Sequence, residues 1–373
     1  MNKLNFLDIF YYKWWKSIDK LIFFLILSLI ILGIVFSLAS TSLIASTKLE
    51  TTSYHFFFKH LVYAFLGVVV IFILSLLDEK NLYRVSVAIF LILFLALILV
   101  PLYGVETKGS KRWLDPVILP RFQPVEMIKP FLIVVLSMVF SSNKLSKLHS
   151  RYILSILIIL PVLLLLIIQP DFGQTLLIFS TWLSLIFVTG INIFFLISFL
   201  ILTSSIFTSL IIFNSKFSYI KQRIFNFLNN SLEGNYQSEK ASEAIINGGF
   251  FGKGIGEGKL NIRVPEAHTD YVIAVISEEF GVITILGILL IFIVIIFQVL
   301  KKVSIEKNIC SKLIMTGCIL MILYQVLIHI GVNIRLLPTT GMTLPFLSYG
   351  GSSIIGTSVI FGIILNLTKR KIN

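Results

Sequence analysis

Charge is what this chain of 373 residues has least of. Asp, Glu, Lys and Arg together make up 13% of it, about half the share usual in soluble domains. Cysteine is nearly absent too: Cys310 and Cys318 allow no disulfide framework, and with five histidines no spaced set of metal ligands emerges. The glycine-rich stretch 247–258 lacks the Gly-Lys-Ser/Thr ending of a phosphate loop, and no strand precedes it, which removes nucleotide binding of that kind. A cleavable signal peptide is not expected, because the first apolar run, 21–45, is too long for a signal core.

What is present is apolar. Hydrophobic residues make up 57% of the chain, and the mean hydropathy is +0.97. No soluble surface could cover that much core. The apolar runs are also too long for the alternating strands of a membrane barrel. The composition therefore specifies an all-α polytopic membrane protein, and excludes a cytosolic enzyme, a small secreted domain and a disordered chain. The net charge is +13. In a membrane that excess faces anionic lipid headgroups or a phosphate-bearing lipid substrate, and no nucleic acid is expected.

Ten apolar runs predict about ten transmembrane helices: 21–45, 56–77, 85–103, 128–142, 152–168, 174–189, 191–213, 271–300, 312–334 and 352–367. An even number of crossings puts both termini on one side. That side carries Lys3, Lys13, Lys16 and Lys20, then Lys369, Arg370 and Lys371, and the short basic connections 143–151 and 301–312. By the excess of Lys and Arg, it is expected to be cytoplasmic. A large extracytoplasmic loop, about 214–270, falls between helices 7 and 8. No internal repeat and no soluble domain interrupts residues 1–373, which read as one transmembrane domain.

Polar chemistry gathers at the outer helix ends. Lys108, Lys111 and Arg112 with Trp113 can hold phosphate oxygens beside a headgroup, or serve as an ordinary interfacial anchor. Glu126 and Lys129 share a helix face, as groove-lining groups or as a plain ion pair at a helix start. Gln169-Pro170-Asp171-Phe172-Gly173 reads as a turn, and the 247–258 stretch as a mobile outer loop. Pro265-Glu266-Ala267-His268-Thr269-Asp270 precedes an apolar helix that Thr269 or Asp270 could cap. Glu278 and Glu279 lie inside an apolar run, a costly place that marks them as candidates for function. Residues 335–353 hold too many prolines and glycines for a regular helix, so they must be packed in protein or line a cavity.

Five stretches in this order resemble one family: Gly109-Ser110-Lys111-Arg112-Trp113, Gln123-Pro124-Val125-Glu126-Met127-Ile128-Lys129, Gln169-Pro170-Asp171-Phe172-Gly173, Pro265-Glu266-Ala267-His268-Thr269-Asp270, and Leu344-Pro345-Phe346-Leu347-Ser348-Tyr349-Gly350-Gly351-Ser352-Ser353. Together with ten spans and the largest loop after the seventh, they identify the chain as similar to the SEDS family (shape, elongation, division and sporulation). It is closer to the FtsW branch than to the RodA branch. Val125 and Tyr271 depart from the usual pattern without removing a reactive group.

The resemblance implies a peptidoglycan glycosyltransferase in the bacterial cytoplasmic membrane, at the division septum, polymerising lipid II into glycan strands. It implies Asp270 as the catalytic base. Lys111, Arg112, Trp113, Glu126, Lys129, His268, Ser348 and Tyr349 would bind substrate. A divalent cation, Mg or Mn, is the only cofactor it suggests, with no metal ligand assigned. Implied partners are a class B penicillin-binding transpeptidase, other division proteins and membrane lipids. A lipid II flippase and a RodA-like elongation polymerase remain alternatives. The scarcity of charge at the span centres speaks against the flippase.

Overall fold

The computed structural model describes residues 6–48, 54–107, 109–116, 120–142, 148–214, 217–228, 232–260 and 263–370. Lys3, Lys108 and Lys371, and most of the 143–151 connection, lie outside them. The chain begins with helices α1 (Phe6–Ser17), α2 (Lys20–Lys48), α3 (His55–Leu76) and α4 (Glu79–Tyr103). A two-stranded hairpin, β1 (Val105–Thr107) and β2 (Ser110–Trp113), follows. Then come α5 (Pro124–Phe140), α6 (Leu148–Ile168), α7 (Phe172–Val188), α8 (Ile193–Phe213), α9 (Ser218–Leu228) and α10 (Leu232–Gly248). The chain ends with α11 (Val272–Phe280), α12 (Val282–Ile305), α13 (Ile309–Asn333) and α14 (Gly351–Leu367).

The protein is a multi-pass membrane protein. Among the described residues seven helices, α2, α3, α4, α6, α8, α12 and α13, are long and apolar enough to cross a bilayer. Helices α5, α7 and α14 are apolar but have 17 residues each. At ~1.5 Å per residue they reach ~25 Å, the lower limit for a crossing. These ten helices fall on the ten expected runs.

Three features depart from the sequence expectation. The run 271–300 is not one helix: Gly281, at φ 83°, breaks it into α11 and α12, a backbone state that a side chain would oppose. The segment 214–270, expected as a large loop, contains the two helices α9 and α10. The glycine stretch is tied rather than loose. Glu278 Oε1 accepts from Asn247 Nδ2 at 2.9 Å and from the main-chain N–H groups of Lys259 and Leu260 at 3.0 and 2.9 Å. Lys253 and Gly254 donate to the carbonyls of Glu278 and Glu279. The buried Glu278 thus holds the loop in place and is not on the cavity wall.

The bundle is built around α13 and α14, which are buried along nearly their whole length. Small residues make this close approach feasible, as they do generally between membrane helices. Gly356 of α14 lies directly against the Glu126 carbonyl of α5, where a Cβ would collide. At one end of the bundle both termini meet. Arg370 N–H donates to the Ser17 carbonyl at 2.7 Å. Asn366 Nδ2 satisfies the Leu74 and Leu77 carbonyls that end α3. Lys302 pairs with Asp19 at 2.8 Å. The hairpin, the 169–171 turn, α9, α10 and the irregular 334–350 segment form the opposite end.

The shared position of the two termini leads to a test of orientation. A reporter fused after residue 240 should behave as extracytoplasmic, and one after Arg370 as cytoplasmic. The reverse pattern in a dual-reporter assay would invert the expected topology.

Candidate active site

The loop end of the bundle encloses a cavity of about 1440 Å³. Its rim brings together segments far apart in sequence: the outer part of α3, the hairpin, the start of α5, the 169–171 turn, α9, the 266–270 turn and residues 339–353. Four cationic side chains, Lys59, Arg112, Arg121 and Arg223, share this wall with four carboxylates, Glu126, Asp171, Glu266 and Asp270. Beside them Phe58, Val62 and Leu66 carry an apolar surface along α3. Their spacing of four residues puts them on one helix face. A polar chamber that continues into an apolar, bilayer-facing strip suits an amphipathic ligand.

Arg112, at the end of β2, holds one wall together. Its Nε donates to the Gln169 carbonyl at 3.3 Å, its Nη2 donates to the Pro170 carbonyl, and Nη1 lies 3.9 Å from Asp171 Oδ1. Gln123 Nε2 donates to Asp171 Oδ2 at 3.1 Å, and the Gln123 N–H donates to Ser352 Oγ at 2.9 Å. Burial pushes the Asp171 carboxyl above the usual range, while the guanidinium of Arg112 pulls it down. The turn is therefore a knot between the hairpin, α5 and α14.

Beneath it lies a buried ion pair. Lys129 Nζ donates to Glu126 Oε2 at 2.7 Å and to Gln174 Oε1 at 3.0 Å, and Gln174 Nε2 donates to Glu126 Oε1 at 2.5 Å. Glu126 reaches the cavity, whereas Lys129, 2% exposed, stays behind it.

Asp270 ends a tight turn in which the N–H groups of Thr269 and Asp270 both donate to the Glu266 carbonyl at 3.1 Å. Neither Thr269 nor Asp270 caps α11: the capping position is Tyr271, and no side chain bonds there. Main-chain contacts fix the turn instead. Asn333 Nδ2 donates to the Asp270 carbonyl at 3.2 Å, Ser348 Oγ donates to the Thr269 carbonyl at 2.6 Å, and the Tyr349 N–H donates to the His268 carbonyl at 2.9 Å. The His268 ring lies 5.0 Å from Phe56 and 6.0 Å from Tyr349. Burial, with Tyr63 nearby, pushes the Tyr349 phenol up to about 12, so it meets a ligand as a hydrogen-bond donor.

Of the residues singled out in sequence, Arg112, Trp113, Glu126, Asp270 and Tyr349 share the cavity wall. Lys129 and Ser348 lie behind it as supports, and His268 sits beside it among aromatic rings. Lys111 points away on the exposed edge of the hairpin, where it pairs in register with Glu106. Sequence reading missed Lys59, Tyr63 and Arg223. Lys59 is a lone cation in the first turns of an apolar helix, and Arg223 lies on the amphipathic α9, signals that could have flagged both. Among the described residues no three His, Cys, Asp or Glu side chains gather as a metal site. Mg2+ needs only one or two carboxylates when phosphate oxygens and water complete its shell, and Glu266 and Asp270 are carboxylates of one turn on this wall.

The buried pair makes a specific demand. Lys129→Ala leaves Glu126 charged and uncompensated in the bundle, at a cost of about 3–5 kcal/mol. Thermal melting in detergent should fall accordingly, and Glu126→Gln combined with Lys129→Met should recover much of the loss. An unchanged melting temperature for Lys129→Ala would mean that the pair is not a support.

Residues 19–373 match the family FtsW/RodA/SpoVE, described as cell cycle proteins. A probable peptidoglycan glycosyltransferase FtsW from Caulobacter vibrioides is 30% identical over 358 residues, covering 96% of this chain and 91% of the relative. A protein of the same description from Coxiella burnetii is 32% identical over 368 residues, covering 96% and 98%. Among solved structures, a chain from a peptidoglycan synthase complex that coordinates polymerization and crosslinking superposes with a TM-score of 0.78 at 25% identity, over 94% of this chain and 97% of that one. The rod shape determining protein RodA of Thermus thermophilus shares the fold, with a TM-score of 0.68 at 24% identity over 95% and 97%. The match runs almost from end to end and spans the segments that carry Arg112, Glu126, Asp171 and Asp270, so the chain belongs to the FtsW/RodA/SpoVE family.

Proposed function

We propose that this chain is a peptidoglycan glycosyltransferase that polymerises lipid II during cell division. The observation that carries this reading is the placement of Asp270 in a chamber lined by four cations and continued by an apolar strip. A substrate with a sugar, a pyrophosphate and a polyprenyl chain has the matching parts. Its sugars and pyrophosphate occupy the polar chamber, and its chain runs along Phe58, Val62 and Leu66 in the bilayer.

In the reaction the acceptor's sugar 4-hydroxyl attacks the anomeric carbon of the donor. A new glycosidic C–O bond forms and the C–O bond to the lipid pyrophosphate breaks. The hydroxyl proton passes to the Asp270 carboxylate, and the pyrophosphate leaves on its lipid. Asn333, Ser348 and the Tyr349 N–H hold the Asp270 turn by its main chain, which positions the base before substrate arrives. Lys59, Arg121 and Arg223 are exposed on the wall and neutralise the departing pyrophosphate. Arg112 acts mainly by keeping the 169–171 turn in shape, with part of its guanidinium facing the chamber. A divalent cation bound in the chamber would add charge neutralisation at the phosphates.

The flippase alternative needs a polar path across the bundle. The cavity lining stops at Leu66 and Glu126, above the buried α13–α14 core. The cavity faces outward, where the wall is built, and the termini lie in the cytoplasm. Glycan strands must also be crosslinked, and a class B penicillin-binding transpeptidase at the septum is the expected partner. It should co-purify with this chain in mild detergent.

Asp270→Asn separates chemistry from folding. No side chain caps α11, so the variant should reach normal membrane levels and melt like the parent. Without a group to accept the hydroxyl proton, its polymerisation of lipid II should fall by roughly 10²–10⁴. Arg223→Ala and Lys59→Ala should also slow turnover at an unchanged melting temperature. Near-normal polymer from Asp270→Asn would remove Asp270 from the reaction.

A further inference from the structure

Away from the cavity, one apolar surface is used by neither the bundle nor the site. Ile246, at the end of α10, and Phe250, Phe251 and Ile255, in the glycine-rich loop, are 77%, 74%, 84% and 71% exposed. The backbone that carries them is fixed. Val282 N–H donates to the Gly249 carbonyl at 3.0 Å and Ile283 N–H to the Phe250 carbonyl at 3.3 Å, so the loop is fastened to the first turn of α12.

Helix α12 sets the depth of this loop. Its inner end carries Lys301 and Lys302, and Lys302 pairs with Asp19 beside the meeting point of the termini. Counting ~1.5 Å per residue, Val282 lies ~28 Å from Lys301. That is close to the ~30 Å thickness of the hydrocarbon core. With basic residues marking the inner boundary, Val282 and the loop bonded to it fall at the outer one. Below them Ile283, Leu286 and Leu290 are exposed and continue the apolar surface into the bilayer. Lys253 and Lys259 are exposed on the same loop, against one exposed carboxylate, Glu257.

We propose that Phe250 and Phe251 form an interfacial anchor that inserts into the outer leaflet, with Lys253 at the level of the lipid phosphates. Aromatic side chains at the boundary depth, beside a cation and continuous with a lipid-facing helix, are what that interface selects. The anchor fixes the height of the α11–α12 corner. Asp270 lies just beyond the other end of α11, whose nine residues span ~13 Å. The cavity rim is thereby held at the headgroup level. This inference does not depend on which reaction the cavity performs.

Site-directed spin labels test it in nanodiscs of phosphatidylethanolamine and phosphatidylglycerol, with the protein alone. Labels are placed by Phe250→Cys, Phe251→Cys, Ile255→Cys and, as the aqueous reference, Glu257→Cys. The background is Cys310→Ser, with the buried Cys318 left in place. At 250 and 251 collisions with oxygen should exceed those with the water-soluble nickel complex NiEDDA, and the order should reverse at 257. Nickel access at 250, 251 and 255 all equal to that at 257 would place the loop in water and overturn the proposal. A label at 251 shielded from both reagents would mean protein covers it, and would overturn it too. The label at 255 guards against a local disturbance at the phenylalanines: lipid-like access there sustains the proposal, and water-like access at 250, 251 and 255 together ends it.

Discussion

The ion pair of Glu126 and Lys129 is the contact on which the rest of the structure turns. Lys129 lies inside the bundle behind the cavity wall, where a lone charge would be poorly solvated, and it is tolerable there because Glu126 is beside it. Gln174 closes the network from α7, completing the hydrogen bonding of both ions. Three further elements depend on this node. Helix α14 crosses α5 at Gly356, against the Glu126 carbonyl itself. Gln123, one turn earlier, ties the 169–171 turn to α14 through Asp171 and Ser352. The cavity has Glu126 in its wall. A polar group that a membrane helix would ordinarily avoid thus fixes where the chamber lies.

The two ends of the bundle solve opposite problems. At the terminal end, polar groups are answered locally: Asn366 covers the carbonyls that end α3, the Lys302 side chain meets Asp19, and the Tyr83 hydroxyl bonds to Ser311. That end is closed. At the other end the chain abandons regular helix in the 169–171 turn, the 265–271 turn and 334–350, and main-chain groups face inward. Ser348 shows how this irregular backbone is satisfied. Its hydroxyl accepts from the Leu344 N–H and donates to the Thr269 carbonyl, joining two turns 79 residues apart. Irregular backbone at membrane depth is sustainable where it is packed in protein or lines a cavity, and this end has both packed protein and a cavity.

The helical order was legible because it rests on composition and run length alone. The ten apolar runs and the meeting of the termini follow from hydrophobicity and charge. The break at Gly281 was not read from the sequence, although Glu278 and Glu279 precede it while Gly287 stands among apolar residues. What demands it is the loop bonded across it, with Phe250 and Gly252 too close to allow a side chain. The site was legible in part for a similar reason. Asp270, Arg112 and Glu126 stand in polar clusters at helix ends, where sequence alone raises the question of function. Lys129 stands in the same cluster, yet faces the bundle. Spacing gives the shared helix face, and only packing tells which side of the wall that face is on. Lys59 and Arg223 come from segments with no cluster, and enter the cavity only through tertiary contact.

Carboxylates at the loop end show how far environment, rather than residue type, assigns a role. Glu278 accepts three N–H groups from the glycine-rich loop and is spent on holding it. Asp171 is divided between Arg112 and Gln123, and Glu126 between Lys129 and Gln174. Each of these side chains is a strut whose charge is answered by named partners, and moving a proton on any of them would loosen a wall. The turn that carries Asp270 is fixed by main-chain contacts as well. The contacts that fix its position are made by its main chain and by its neighbours, through Asn333, Ser348 and Tyr349. A group positioned through its backbone can gain or lose a proton at its carboxylate without releasing the turn that carries it. The base proposed at Asp270 would be reset in every catalytic cycle, and the main-chain contacts of its turn hold it in place through that cycle.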